Sequence, residues 1–145
     1  MTLIKSISGI RGTIGGKPKD NLTPIDVVKF AAAYGSYILT NTQASTVKIV
    51  IGRDARLSGS MIQDLVVNTL IGLGIDVIDL DLSTTPTVEM AVVEQQAQGG
   101  IILTASHNPK EWNALKLLSE KGEFLDADAG AEIIRLVETA EFNFA

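Results

Sequence analysis

The residues best suited to chemistry cluster at Thr104-Ala105-Ser106-His107-Asn108-Pro109, where a hydroxyl stands beside the only imidazole in the chain. Pro109 stiffens this stretch, and Asn108 can brace it through side-chain hydrogen bonds. Adjacent Ser and His do not make a hydrolase triad by sequence, and Ser106 is not set in G-x-S-x-G. The bland alternative is a polar turn. Lys116 follows on a short strand, where alternation with Leu115 and Leu117 points it to the face opposite them. It reads either as an exposed strand lysine or as a desolvated lysine that shuttles a proton.

Two further stretches could serve a ligand. Ser8 to Gly16 is rich enough in glycine to present backbone N–H groups to an anion, although it matches neither the P-loop nor G-x-G-x-x-G. A flexible turn is the other reading. Gly52-Arg53-Asp54-Ala55-Arg56-Leu57-Ser58-Gly59 is either a local turn, with Asp54 paired to an arginine and Ser58 capping the next helix, or a pair of arginines that hold phosphate or orient a neighbouring loop. Asp126 and Asp128 read as helix caps rather than a calcium loop. Asp79 and Asp81 read as solvated strand-end groups.

The elements that must position these residues alternate in type. Thr23-Pro24-Ile25-Asp26 carries the signals of a helix start and predicts a helix over 24–40. Strands follow at 47–51, 75–80, 99–104 and 115–118, with a helix over 61–73, a second Thr-Pro start at Thr85-Pro86 running to about Gln96, and an amphipathic stripe of Ile133, Ile134, Leu136 and Val137. The expected fold is α/β, a three-layer α/β/α sandwich on a mostly parallel or mixed sheet of about four strands, covered on both faces, as one domain spanning 1–145. Ligands in such sheets favour the carboxyl ends of strands. Phe142 to Ala145 looks more like a cut than a natural tail.

Composition narrows the function classes. The 145 residues include no Cys and one His, which excludes disulfides, thiolate zinc sites, a Cys nucleophile and multi-histidine metal centres. A net charge of −5 opposes binding to nucleic acid or an anionic membrane. Mean hydropathy is +0.25, yet no apolar run approaches the roughly 20 residues of a membrane span. The N-terminus lacks a signal-peptide pattern, so a cytoplasmic location is expected.

T-A-S-H-N-P at 104–109, with Asn113 and Lys116, resembles the phosphoserine signature of the α-D-phosphohexomutase superfamily. Ser8-Gly9-Ile10-Arg11-Gly12 and the 52–59 segment resemble that family's other first-domain motifs, in the same order. The resemblance implies the first of four domains of a phosphotransferase that interconverts hexose 1- and 6-phosphates through a bisphosphate intermediate. It makes Ser106 the phosphoryl donor and acceptor and, through its phosphoryl oxygen, a ligand of Mg²⁺ shared with aspartates of a second domain outside this chain. Lys116 and Arg11 would assist proton transfer and charge stabilisation, His107 and Asn108 would position loop or substrate, and Arg53 and Asp54 would support the loop or bind phosphate. Ala114 stands where the family commonly has Gly, so a different local backbone is expected there. The chain alone is expected to be inactive and to self-associate through apolar surface meant for a neighbouring domain. The rival expectation is a free-standing module that binds a phosphorylated ligand without turnover.

Overall fold

The computed structural model describes residues 1–145. Ten elements follow in the order β1 (Ile4–Ser6), β2 (Gly9–Thr13), α1 (Pro24–Asn41), β3 (Lys48–Arg53), α2 (Gly59–Gly72), β4 (Asp76–Leu82), α3 (Thr85–Glu94), β5 (Gly99–Leu103), β6 (Trp112–Leu118) and α4 (Ala127–Thr139). The helix starts obey their caps. Thr23 and Asp26 form a reciprocal capping box ahead of Pro24, and Asp126 accepts from the Ala129 N–H at 2.8 Å, which makes it a cap rather than a metal ligand. The cap of α3 is Thr84, one residue earlier than the sequence predicts.

The sheet has six strands, not four, in the order β1-β2-β6-β5-β3-β4. The two unforeseen strands form a hairpin, whose second strand, β2, lies within the Ser8 to Gly16 segment that glycine content marks as a loop. Only β5, β3 and β4 are parallel; β1, β2 and β6 are joined antiparallel, and β6 is antiparallel to β5. The sheet is therefore mixed, and β6 begins three residues earlier than its apolar run suggests.

Helices cover both faces of the sheet, but unequally. On one face α1, α2 and α4 bury Phe30, Ile62, Val66, Leu70 and Ile133 against Ile49, Ile51, Ile101, Leu103, Leu115 and Leu117 in a cluster of 23 residues. At about 1.5–3 kcal/mol per large apolar side chain, this layer dominates the stability. On the opposite face only α3 packs, and Val88 and Val92 meet Val50, Ile102 and Leu118 in a cluster of six. That face is bare of helices over β1, β2 and the part of β6 ahead of Leu118.

Two close approaches fix the sheet where it matters. A Cβ at Gly99 would sit 2.1 Å from the Tyr34 hydroxyl. That hydroxyl donates to the Leu118 carbonyl at 2.6 Å and accepts from the Gly100 N–H at 3.0 Å, bridging β5 and β6. Burial drives its pKa far above the ordinary tyrosine value. Gly9, with φ +147°, lets β2 come so near β6 that a Cβ would lie 1.9 Å from the Leu115 carbonyl oxygen. At the C-terminus, Phe142 packs against the large core and the Ala145 N–H bonds the Gly72 carbonyl. This tail is tied to the end of α2. No helix is long and apolar enough to cross a membrane.

Candidate functional site

The loops after β3 and β5 leave the carboxyl ends of neighbouring parallel strands, and β6 returns antiparallel between β5 and β2. This register decides what Lys116 faces. Leu115 and Leu117 are 0% and 1% exposed in the large core, so Lys116, alternating with them, lies on the bare face. Gly9 is its cross-strand partner, and Arg11 pairs with Ala114 two residues away, which puts Arg11 diagonally beside Lys116. The Lys116 Nζ donates to Ser106 Oγ at 2.5 Å. Desolvation, then the Arg11 charge, hold the lysine pKa below its ordinary value, with Arg56 adding to the effect and Asp54 opposing it.

Ser106 is itself unusual. Its φ is +52°, a left-handed value that costs a side-chain-bearing residue roughly 1–2 kcal/mol. Its N–H donates to the Thr104 hydroxyl oxygen at 3.1 Å. The Thr104 hydroxyl donates to Asp54 Oδ2 at 2.5 Å, and the same oxygen accepts from Arg56 Nε at 3.3 Å.

The structure brings Arg11, Ser106, His107, Asn108 and Lys116 together around one recess of about 290 Å³, with Ala105 and Ala114 completing the lining. A second recess of about 340 Å³ shares Arg11, Ala114 and Lys116 and extends over Ser6, Ser8 and Gly9. His107 is exposed. Asn108 braces the loop through its backbone rather than its side chain, its N–H donating to the Ala105 carbonyl at 3.0 Å and its carbonyl accepting from Arg56.

Arg53 is not brought to this recess. Its Nε donates to Gln63 Oε1 at 2.6 Å, its Nη1 to the Asp54 carbonyl at 3.3 Å, and its Nη2 pairs with Asp81 at 3.2 Å. Asp81 and Asp79 are accordingly tied into a network rather than merely solvated, with Asp79 accepting from Gln63 at 2.6 Å and from the Asp81 N–H at 2.8 Å. Ser58 makes no side-chain cap on α2; its hydroxyl accepts from Asn113 Nδ2 at 2.9 Å instead. Ala114 is no obstacle, because it lies in β6 paired with Arg11 and has an ordinary negative φ. Of the two arginines read as holding phosphate or orienting a neighbouring loop, Arg56 bonds four carbonyls of the segment after β5; Thr104 had no assigned role. The order Arg-Asp-x-Arg placed Arg56 beside Asp54, but its partners in the next loop are about fifty residues away along the chain.

No group of three or more acidic or imidazole side chains suited to a metal is present. Asp54, the carboxylate wired to this loop, is engaged by Arg56 and Thr104.

Taken together, fold and recess define an α/β/α domain that presents a serine hydroxyl to a desolvated lysine between cationic side chains. The family profile described as "Phosphoglucomutase/phosphomannomutase, alpha/beta/alpha domain I" matches residues 3–144. The chain is 35% identical over 136 residues to a phosphoglucomutase/phosphomannomutase of Thermococcus kodakarensis, covering 92% of this chain and 30% of that protein. It is 34% identical over 132 residues to a phosphoglucosamine mutase of Lactococcus lactis subsp. cremoris, covering 90% of this chain and 29% of the relative. The crystal structure of a Thermus thermophilus protein, provisionally named a phosphomannomutase, superposes with a TM-score of 0.82 at 27% identity, covering 94% of this chain and 30% of that one. The chain belongs to the phosphoglucomutase/phosphomannomutase family and corresponds to its domain I. It spans under a third of the length of these relatives.

Proposed function

We propose that this domain carries the phosphoryl group of a phosphohexomutase on Ser106 and, within the complete enzyme, exchanges it with a hexose phosphate through a bisphosphate intermediate. The observation that carries the reading is the 2.5 Å hydrogen bond from Lys116 to Ser106 Oγ. A module that only bound phosphate would gain nothing from wiring a strained serine to a proton donor. When phosphoserine donates, the P–Oγ bond breaks as a P–O bond forms to a sugar hydroxyl; Oγ takes the Lys116 proton, and the sugar hydroxyl releases its own to a base outside this chain. The return transfer reverses each change. Arg11 and the Lys116 ammonium stabilise charge on the transferring group, while His107 and Asn108 border the space the sugar phosphate would enter.

The residues present fit a divalent cation in part, since a phosphoryl oxygen on exposed Ser106 offers one ligand and the remaining ligands must come from outside this chain. Bound Mg²⁺ would supply neutralisation of charge on the phosphoryl group. The isolated domain is therefore expected to fold, bind Mg²⁺ weakly, show no turnover and self-associate; its cytoplasmic location is part of the same proposal. To test the carrier, the complete enzyme is incubated with labelled hexose bisphosphate and the label mapped by mass spectrometry. Label on Ser106, and loss of mutase activity in Ser106→Ala, are expected. Label on Ser58 or Ser60 would overturn the assignment.

A further inference from the structure

Arg56 starts on the β3–α2 loop but spends its guanidinium on another one. Nη1 donates to the carbonyls of Pro109 at 2.7 Å and Trp112 at 3.1 Å, and Nη2 to those of Ser106 and Asn108, both at 2.9 Å. The side chain is only 11% exposed, and it does not line the recess around Ser106 and Lys116. Its Nε on Asp54 fixes the plane of the fork. Asp54 also holds the Thr104 hydroxyl, which accepts the Ser106 N–H. Both peptide groups flanking the Ser106 Cα are thus held by the same Asp54–Arg56 pair, the N–H side through Thr104 and the C=O side directly. A serine released from those two restraints would leave the left-handed region, and its Oγ would swing away from Lys116.

We propose that Arg56 is a positioning residue for phosphoryl transfer: it holds Ser106 in its left-handed conformation with Oγ at Lys116, and it does so without touching substrate. The proposal rests on Ser106 being the phosphoryl carrier. A lysine cannot replace this fork, because an ammonium is a point charge on a flexible stem and does not match four carbonyls fixed around a planar head.

The test uses the complete enzyme with Arg56→Lys, Arg56→Ala and Thr104→Val, each checked for phosphoserine content by mass. Arg56→Lys keeps the charge and is expected to lower kcat on the order of 100-fold, the cost of a misplacement near 1 Å, with KM for the hexose phosphate unchanged. Arg56→Ala is expected to lose at least as much and to recover about tenfold in millimolar guanidinium chloride, which refills the fork. Thr104→Val, which releases only the Ser106 N–H, should lower kcat by less, again at constant KM. If Arg56→Ala does not fold, Arg56→Lys and Thr104→Val decide the matter. A kcat within threefold of the parent in Arg56→Lys, or a raised KM at unchanged kcat, would overturn the proposal. Failure of the carrier assignment reads differently, as label on another residue and activity retained in Ser106→Ala.

Discussion

Lys116→Met removes the group on which the proposed chemistry most depends, while keeping a long, unbranched side chain on β6. The charge-assisted bond from Nζ to Oγ is worth about 1.5–3 kcal/mol, or roughly 10- to 150-fold in rate at 1.36 kcal/mol per decade. Loss of a general acid costs about 10²–10⁴-fold. The two ranges overlap near 100-fold, so a drop between about 10² and 10⁴ is expected if Lys116 both binds and protonates Oγ. The assay is a quenched single turnover, in which complete enzyme phosphorylated on Ser106 is mixed with hexose phosphate and the decay of phosphoserine is followed across pH. Donation needs the ammonium form, so the rate falls as pH rises through the Lys116 pKa. Desolvation and Arg11 hold that pKa below the ordinary 10.5 while Ser106 is unphosphorylated, and the phosphate beside the amine opposes that shift, so the fall lies at a higher pH in the phosphoenzyme than the titration of Lys116 beside a free serine. Lys116→Arg keeps the charge but cannot titrate in this range, so it should transfer slowly and lose the alkaline fall. Transfer within threefold of the parent in Lys116→Met, or an unchanged alkaline fall in Lys116→Arg, would refute the assignment of the proton to this residue.

Tyr34→Phe strips a partner from the buried Gly100 N–H and Leu118 carbonyl, and at about 1–3 kcal/mol per orphaned group it should cost roughly 2–6 kcal/mol in urea unfolding. Because the folded hydroxyl resists ionisation while an unfolded tyrosine ionises near pH 10, this residue's contribution is complete below pH 10 and is lost as pH rises above it; Tyr34→Phe should flatten that part of the stability–pH curve. Gly9→Ala drives a Cβ into the Leu115 carbonyl, so it should separate β2 from β6, destabilise by about 3 kcal/mol or more, and shift the Lys116 amide in NMR spectra. Asp126→Ala loses the α4 cap and should lower stability by about 0.5–2 kcal/mol with no effect on transfer in the complete enzyme.

What could be read in advance follows the range of the interactions involved. Caps act over three residues, and the starts of α1 and α4 were legible for that reason; so were the strands at 47–51 and 99–104, whose β-branched or continuous apolar character is intrinsic. The β1–β2 hairpin was not. Gly9-Ile10-Arg11-Gly12-Thr13 has two glycines in five residues, and it becomes a strand because β6 offers it a partner about a hundred residues away. The same holds within the site. Asp54 beside Arg56 was visible as a local pair, but the four carbonyls that receive the guanidinium lie 50 to 56 residues further on. Arg53 shows the same limit, since motif membership suggested loop support or phosphate binding without showing that its partners lie on α2, on β4 and at the Asp54 carbonyl.

The unequal covering of the sheet explains why the chemistry sits where it does. A lysine on a strand between two helix layers would be buried without water and driven to neutrality, whereas on an open strand its pKa would stay ordinary. Lys116 occupies the edge between these situations: Ile102, its cross-strand partner, is buried beneath α3, while Gly9, on its other side, adds no side chain that could wall it in. Half covered, it keeps a proton yet holds it less tightly than a free lysine. The antiparallel insertion of β6 between β5 and β2 is what creates that edge, by bringing the loop that leaves β5 back over the strand that carries the lysine. Adding a large apolar side chain beside Lys116, as in Ala114→Leu on the same face, should therefore desolvate the amine further, lower its pKa, and move the alkaline fall in phosphoryl donation to lower pH. A fall that stayed in place would mean that the charge of Arg11, rather than desolvation, governs this lysine.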